Sequence, residues 1–589
     1  MCAINGATGS HEDVVARMNT HTRDRGPDGT AVWTNGRVTL GFDRLAIIDL
    51  SERSMQPMHR LSRYSLVFNG EIYNFRELKE ELVGFHFESD GDAEVVIAAY
   101  AKWGTEAFSK LNGMFAFALY DHERDELVLA RDPVGIKPLY YAVYEKELWF
   151  SSDTTALLEV VPRRVHKEAL AHYIRLLYVP SPLTLIEGVQ RVLPGEVLVY
   201  TKGALSHKQI KLPELKPFSG AYTDAVEAVR NMVQGAVTRQ LVSDRPIGLF
   251  LSGGVDSSIV AAVASSVHPA INTYSVRFAL ENHGEDEKFN SDANRARESA
   301  RKFGTTHHEF EISSQDAAGL FGTMVSKMHQ PVANATALAQ LYLSQKTKET
   351  ATVVLTGDGG DELFGGYDRY QKSLWAEYAS KLIPETIARL LPHPLSALHL
   401  RGVERYLQLM EQNDIVTGIT VDTRKFFEEY FRNEKGVRAL MRADEHMWLV
   451  DEALLRTDAM TMAASLEARV PLLDLEVRAV AHALPTKFLV SPFATKRILK
   501  DAFRPVLPQA IFNGPKRGWF SPGAKWLRTP EFIQLAERYF NDSRYASLIN
   551  LDAVRALHAA HIEKRSYHYQ PLWAVLVVLA WLDAHNISV

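Results

Sequence analysis

Along the first two hundred residues, apolar positions come in short runs that alternate with polar ones or stop at Gly, Asn and Asp. Val38 to Phe42, Tyr64 to Phe68, Met114 to Tyr120, Glu126 to Ala130 and Leu148 to Ser151 read as strands on that pattern. At Phe75 to Val83 and Ala93 to Trp103 the apolar spacing changes to three and four, the period of a helix buried on one face. A layered α/β unit, with helices covering mainly β layers, is expected. Lys211 to Gly220, KLPELKPFSG, carries two prolines and neither period, and reads as a linker. Beyond it the order becomes βαβ. A helix over Ala221 to Leu241 precedes a strand over Pro246 to Leu251 and a helix over Ser257 to Val267, and further strands fall at Ile271 to Phe278 and Thr352 to Leu355. Parallel, doubly wound topology is the natural arrangement. From about residue 370 onward helical periods dominate, so the chain divides into a unit over 2–210, a linker over 211–220 and an α/β core with a helical extension over 221–589. No internal repeat is visible.

The composition fits this picture. In 589 residues, 46% hydrophobic positions with 35 glycines and 25 prolines are globular, without bias toward collagen or disorder. The single cysteine, Cys2, excludes an intramolecular disulfide and any thiolate-rich zinc or iron–sulfur site. Lysine plus arginine number 66 against 71 aspartate plus glutamate, a net charge of −5 that gives no nucleic-acid footprint, so small-molecule partners are expected. The opening MCAINGATGSHEDVV lacks the basic and apolar regions of a signal peptide. The apolar run Leu572 to Leu582 is far short of the roughly 20 residues of a spanning helix and reads as a buried C-terminal helix. A cytoplasmic protein with no membrane partner is the expectation.

Cys2 is the first candidate for chemistry. If Met1 is removed, residue 2 carries a thiol and a free α-amine, and an α-amine titrating near ~7.7 to 8.0 can accept the thiol proton. Taken alone, Cys2 is simply a second residue; its context changes that. Arg25-Gly-Pro-Asp28, Arg44 in GFDRLAIIDL, Asn69-Gly-Glu71 before Ile-Tyr-Asn74, and Asp92 in SDGDAEV lie in the same unit. An amide substrate with amino-acid ends needs a guanidinium for its carboxylate, a carboxylate for its ammonium and N–H donors for a tetrahedral oxyanion. Each piece singly is more often a turn or surface charge, and Asn-Gly is first a hairpin signal.

Cys2, RGPD, RLAIID, NGEIYN, DGDAEV, GMFAFALYD and ARDPVGIKPLYY, in that order, resemble the class II glutamine amidotransferase domain, an Ntn-hydrolase-like αββα fold, over residues 2 to about 160. The resemblance implies glutamine hydrolysis, with Cys2 as nucleophile and Asn69 with the Gly70 backbone as oxyanion hole. Glutamine would be held by Arg44, Leu45, Ala46, Ile47, Ile48, Asn69, Gly70, Glu71 and Asp92. Ala3 replaces a usual glycine, and Asp24 stands where a histidine often precedes RGPD.

Leu251-Ser-Gly-Gly-Val-Asp-Ser-Ser258 runs from a buried strand through a glycine pair into a helix, presenting N–H groups and serine hydroxyls to an anion. It is not a Walker A loop, since no Gly-Lys-Ser/Thr follows, and on composition an ordinary βα connection is as good a reading. Thr356-Gly-Asp-Gly-Gly-Asp-Glu-Leu-Phe-Gly-Gly-Tyr367 sets three acidic residues among five glycines at a strand's carboxyl end, suited to close ligand approach and Mg²⁺. SGGVDSS is similar to the signature of the PP-loop ATP pyrophosphatases. With Ala468-Arg-Val-Pro-Leu-Leu-Asp474 and Lys496-Arg-Ile-Leu-Lys500, these motifs resemble the synthetase domain of glutamine-hydrolysing asparagine synthetases.

That resemblance implies ATP as substrate, bound by Leu251, Ser252, Gly253, Gly254, Asp256, Ser257, Ser258, Val276, Thr356 and Gly357. Asp256 and Asp361 would hold Mg²⁺–pyrophosphate. Asp358, where many members carry glutamate, would assist formation or amination of an acyl-adenylate, and Lys496 would neutralise charge on the transferring phosphoryl or tetrahedral intermediate. A homodimer is the family expectation. The stretch His329-Gln-Pro-Val-Ala-Asn-Ala-Thr336, where characterised members carry an acidic, arginine-containing aspartate site, holds neither arginine nor carboxylate. The expected reaction is aspartate, glutamine and ATP to asparagine, glutamate, AMP and pyrophosphate. The alternatives are the same chemistry on another carboxylate, such as a glycan uronic acid or biosynthetic intermediate, and a catalytically silent scaffold, against which Cys2 and SGGVDSS argue. His307-His308-Glu309 is set aside as a metal site because adjacent strand residues face opposite ways, and the charged stretch Glu281 to Arg297 reads as a solvated loop.

Overall fold

The computed structural model describes residues 2–280, 286–383, 400–412, 414, 416–512 and 521–589. Met1, and residues 281–285 at the head of the charged stretch, lie outside the described residues.

Two six-stranded antiparallel sheets build the first lobe. One is ordered Gln190–Arg191, Tyr140–Tyr144, Glu147–Ser151, Ala3–Thr8, Val38–Arg44, Gly29–Thr34. The other is ordered Ala204–Gln209, Glu196–Thr201, Glu126–Arg131, Gly113–Asp121, Tyr64–Ile72, Met58–Arg60. Successive residues of a strand point to opposite faces, and here both faces are buried. Val67, Ala116, Ala118 and Leu129 join Ile4, Leu40, Phe42 and Phe150 of the facing sheet. Their neighbours Leu66, Phe68, Phe115 and Phe117 pack instead with Val96, Ala99 and Tyr100 of the helix Ala93–Trp103. The helix Glu12–Thr22 covers the outer face of the other sheet through Val15 and Met18. The layers are therefore helix, sheet, sheet, helix, and this double burial is why the apolar runs in the sequence are nearly continuous.

Residues 211–220 have no regular structure. The second lobe holds a five-stranded parallel sheet ordered Thr306–Ile312, Asn272–Phe278, Ile247–Phe250, Val353–Leu355, Glu467–Arg469. Chain order reverses between Ile247–Phe250 and Val353–Leu355, which opens a crevice at their carboxyl ends. The strand Glu467–Arg469 interrupts the region beyond residue 370 in which helical periods dominate. It is three residues long, two of them charged, and carries no period-two signal. The helix Tyr569–Ala584 buries Trp573 and Trp581 completely, and among the described residues no helix is long and apolar enough to cross a membrane.

Gly41 sets the distance between the first helix and its sheet. A Cβ there would fall 2.5 Å from Val15 Cγ1 and 2.6 Å from Asn19 Oδ1. Neither atom can yield easily: Val15 is fully buried, and Asn19 Oδ1 already accepts from Asn5 Nδ2 at 2.9 Å. Gly41→Ala should cost about 1–3 kcal/mol by overpacking, read as a lower midpoint of the first thermal transition; an unchanged midpoint would show that the helix can shift freely.

Candidate active site

The Cys2 thiol, at the head of the strand Ala3–Thr8, lies 3.8 Å from the Leu45 carbonyl oxygen to which it donates. Burial pushes this thiol up to about 11, and the Glu71 and Glu467 carboxylates act in the same direction. At neutral pH it is an uncharged thiol that needs a base before it can act as a nucleophile.

Asn69, Gly70 and Glu71 lie near the end of the strand Tyr64–Ile72, one strand from Gly113–Asp121. Asn69 is fully buried, and neither its amide nitrogen nor its amide oxygen has a hydrogen-bond partner among the described residues. Buried amides are normally satisfied, so this one is an exception that needs an explanation. At Gly70 a Cβ would sit 2.0 Å from the Met114 carbonyl oxygen, so only glycine fits. Asp92 Oδ2 accepts from the Ile72 N–H at 2.7 Å, and burial raises its pKa to about 6 despite that bond. Glu71 is raised further by burial, then by Glu467 and Asp92, against the pull of Arg469.

Arg44 Nη2 is held by the carbonyls of Asp49 and Ser51 at 2.8 and 2.9 Å. The loop Leu45 to Ile48 is fixed from both lobes: the Ala46 N–H donates to Asp28 at 2.8 Å, and the Ala46 carbonyl accepts from Arg245 at 3.1 Å. Ile47 accepts through its carbonyl from the Asp244 N–H at 2.9 Å, while Ile48 is only partly buried. One residue was missed by sequence reasoning. Arg469, fully buried on the edge strand of the other lobe, reaches within 3.6 Å of Glu71 and 2.7 Å of Glu467. Its motif was legible, but nothing local in ARVPLLD shows which lobe its arginine faces.

The second site is a cleft of 700 Å³ at the reversal point of the parallel sheet. Ser252, Gly253, Gly254, Asp256 and Ser257 form one wall and Thr356, Gly357, Asp358 and Asp361 another, with Lys496 between them. The two loops touch: a Cβ on Gly357 would fall 2.7 Å from the Ser257 nitrogen. Lys496 Nζ pairs with Asp361 Oδ1 at 2.7 Å and with Asp256. Burial alone lowers the pKa of this ammonium; the two carboxylates more than reverse that and raise it. Asp358 Oδ2 accepts from Thr356 Oγ1 at 2.7 Å and Thr457 Oγ1 at 3.4 Å, while burial raises its pKa. Leu251, Ser258 and Val276 lie behind the cleft wall; Ser258 Oγ faces Ser299 Oγ at 3.4 Å.

His307 and His308 turn to opposite partners, Thr273 at 3.0 Å and Asn272 at 3.0 Å. Among the described residues no group of three or more His, Cys, Asp and Glu could hold a metal ion. The 329–336 stretch divides. His329 pairs with Asp153 of the first lobe at 3.1 Å, whereas Asn334 and Thr336 line the cleft.

Between the sites runs a buried ion cluster. Arg25 donates to Asp458 at 2.7 Å and more weakly to the Cys2 carbonyl at 3.4 Å; Lys137 and His329 lie 3.7 and 3.5 Å from Asp458. The Asp24 side chain, at the departure before RGPD, pairs with Lys327 of the other lobe, and its backbone carbonyl accepts from Ser465 at 2.5 Å.

A thiol pocket in a four-layer lobe, joined to a phosphate-type cleft in a parallel sheet, defines a glutamine amidotransferase coupled to an ATP-using synthetase. The asparagine synthase family model matches residues 228–583 and the glutamine amidotransferase domain model residues 1–210. The chain is 31% identical to glutamine-hydrolyzing asparagine synthetase 1 of Bacillus subtilis (strain 168), over 100% of this chain and 97% of the relative. It is 29% identical to asparagine synthetase 3 of the same organism over 90% of each, and 27% identical to the amidase chyE of Penicillium rubens over 86% and 84%. The chain belongs to the glutamine-hydrolysing asparagine synthetase family.

The ion cluster makes lobe docking pH-dependent. Burial lowers the His329 pKa, but Asp153 and Asp458 more than reverse that and raise it, while His329 depresses Asp153, and Arg25 first, then His329 and Lys137, depress Asp458. A raised histidine stabilises fully below its ordinary value of about 6.5 and loses that contribution as pH climbs through the raised value. The depressed carboxylates stabilise above about pH 4 and lose their contribution on acidification. The melting temperature should therefore fall on both sides of a plateau, and His329→Gln should flatten the alkaline limb. Parallel wild-type and variant profiles would remove His329 as its source.

Proposed function

We propose that the chain converts aspartate, glutamine and ATP to asparagine, glutamate, AMP and pyrophosphate. The observation that carries this reading is the pairing of two sites in one chain: a half-buried thiol in the same lobe as an unsatisfied buried amide, and a cleft where carboxylates from two loops converge on one lysine. With Met1 removed, the Cys2 amine accepts the thiol proton and sulfur attacks the glutamine side-chain carbonyl. The Asn69 amide and the Gly70 N–H stabilise the oxyanion. Asp92 and Glu71 hold the substrate ammonium and Arg44 its carboxylate. Ammonia leaves, and water releases glutamate from the thioester.

In the cleft, the Ser252 to Ser257 loop and the following helix N-terminus cradle ATP phosphates. Mg²⁺, when bound, would neutralise the departing pyrophosphate; two oxygen donors already converging on one cationic centre, Asp256 and Asp361, fit it. Lys496 offsets charge building on the α-phosphate, and Asp358 positions the acyl-adenylate for attack by ammonia. The named products of the relatives support aspartate as the acceptor; the lack of arginine and carboxylate in 329–336 keeps other carboxylates in the test.

Incubation with Mg²⁺–ATP, glutamine and a panel of carboxylates, following AMP, pyrophosphate and amide, should give asparagine with aspartate. Turnover with a uronic acid but not aspartate would replace this reading. Cys2→Ala should lower glutamine-dependent synthesis at least about a thousandfold and spare ammonia-dependent synthesis; loss of both would show that the sites are not separable. Asp92, at about 6, must ionise to hold the ammonium. The glutaminase kcat/KM should thus rise about a hundredfold per unit below about 6, where Asp92 and the Cys2 amine both titrate, and about tenfold per unit from there toward the amine's ~7.7 to 8.0, and Asp92→Asn should reduce the steeper limb to the shallower slope.

A further inference from the structure

The strand Glu467–Arg469 brings to the glutamine pocket a charge that no motif of the first lobe supplies. Arg469 is fully buried. Three of its five N–H groups are committed: Nε donates to Glu467 Oε1 at 2.7 Å, and Nη1 donates to the Gln240 and Val242 carbonyls at 2.8 and 2.6 Å. Nη2 lies 3.6 Å from Glu71 Oε1 and has no hydrogen-bond partner among the described residues. The guanidinium also stands 5.7 Å from the centre of the Tyr73 ring, close enough for a cation–π contact. The surrounding backbone is fixed as well. The Arg469 carbonyl accepts from the Thr356 N–H at 2.9 Å, and Asp474, at the end of the same ARVPLLD motif, accepts from Asn112 of the first lobe at 3.3 Å and from Arg239 at 2.9 Å. The two oxygens of Glu71 differ. Oε1 faces Arg469, whereas Oε2 is buried without a hydrogen-bond partner among the described residues. Burial, Glu467 and Asp92 all raise the proton affinity of Glu71; Arg469, ahead of the chain's amino terminus, opposes them.

We propose that Arg469 is a positioning residue for glutamine hydrolysis: by facing Oε1 it holds Glu71 as an anion and leaves Oε2 for the substrate ammonium. This inference rests on the glutaminase half of the reading above and deepens it. Three carboxylates in one dry pocket resist ionising together, and a carboxyl that keeps its proton has no charge to offer an ammonium. Arg469 supplies the missing cation without covering the oxygen that the ligand needs, because its remaining bonds run to Glu467 and two carbonyls. With a neutral side chain in its place, glutamine would bind only after Glu71 had given up a proton against two neighbouring carboxylates. The loss would fall on the recognition of the ammonium, and the amide end of the substrate, next to Cys2, would be met as before.

The experiment measures ammonia release by the full chain, with Met1 removed, from glutamine and from glutarate monoamide, which is glutamine without its ammonium. In the wild type the KM for the monoamide should exceed that for glutamine at least about tenfold. Arg469→Met should raise the glutamine KM at least about tenfold, change kcat far less, and leave the monoamide KM within about threefold, so that the preference collapses. An unchanged preference, or a rise of both KM values together as a merely structural role requires, would overturn the proposal. The melting curve reports whether the variant is folded. Where it is not, the test passes to Glu71→Gln with and without Arg469→Met, since removing both members of a buried pair is better tolerated than removing one. There the second substitution should move the glutamine KM by less than about threefold, because the group it acts through is gone; a larger change would overturn the proposal. No ammonia from glutamine with the wild type would overturn the glutaminase reading itself, and the proposal with it.

Discussion

Arg25 is buried between the lobes, and the pairing of its guanidinium with Asp458 constrains everything around it. An isolated charge in such a place is costly, and removing one partner of a buried pair typically costs about 3–5 kcal/mol. The lobes therefore cannot slide over each other without breaking it. Asp458 belongs to the helix Leu455–Met462, whose preceding residues Arg456 and Thr457 face the nucleotide cleft. Arg25 in turn leans on the Cys2 carbonyl. One short helix thus registers both sites, so the thiol pocket and the cleft hold their relative position as a matter of electrostatics.

Burial acts oppositely on the two sites because the company differs. Around Cys2 it gathers carboxylates faster than cations, and the thiol, Glu71 and Asp92 all retain protons more strongly than in water. Around Lys496 two carboxylates converge, and the ammonium is held charged despite its burial. The first environment keeps the thiol protonated until a base takes its proton. The second keeps a positive charge in a cleft built for anions.

The fold was largely legible because glycine loops and periodicity are local signals. The strands around Tyr64 and Met114, the helix at Ala93 and the βαβ unit around SGGVDSS each needed only a dozen residues of context. Strand lengths were underestimated where both faces are buried, as in Tyr64–Ile72, since alternation fades there. Glu467–Arg469 escaped because its pairing with Val353–Leu355 joins residues over a hundred positions apart. Cys2, Leu45 and Asn69 could be named as a set because their motifs resemble a known domain, whereas the approach of Arg469 to Glu71 could not. That contact depends on which lobe a strand's side chain faces, which no local pattern reveals.

The strand Glu467–Arg469 belongs to two structures at once. Its backbone completes the parallel sheet, while its arginine lies against Glu71 in the other lobe. The lobes look like modules, yet a detached amidotransferase lobe would keep a buried, proton-retaining Glu71 without its counter-charge. Transplanting this lobe onto another synthetase would therefore require bringing along a three-residue edge from a sheet that is not its own. For this chain, the unit of inheritance is the pair.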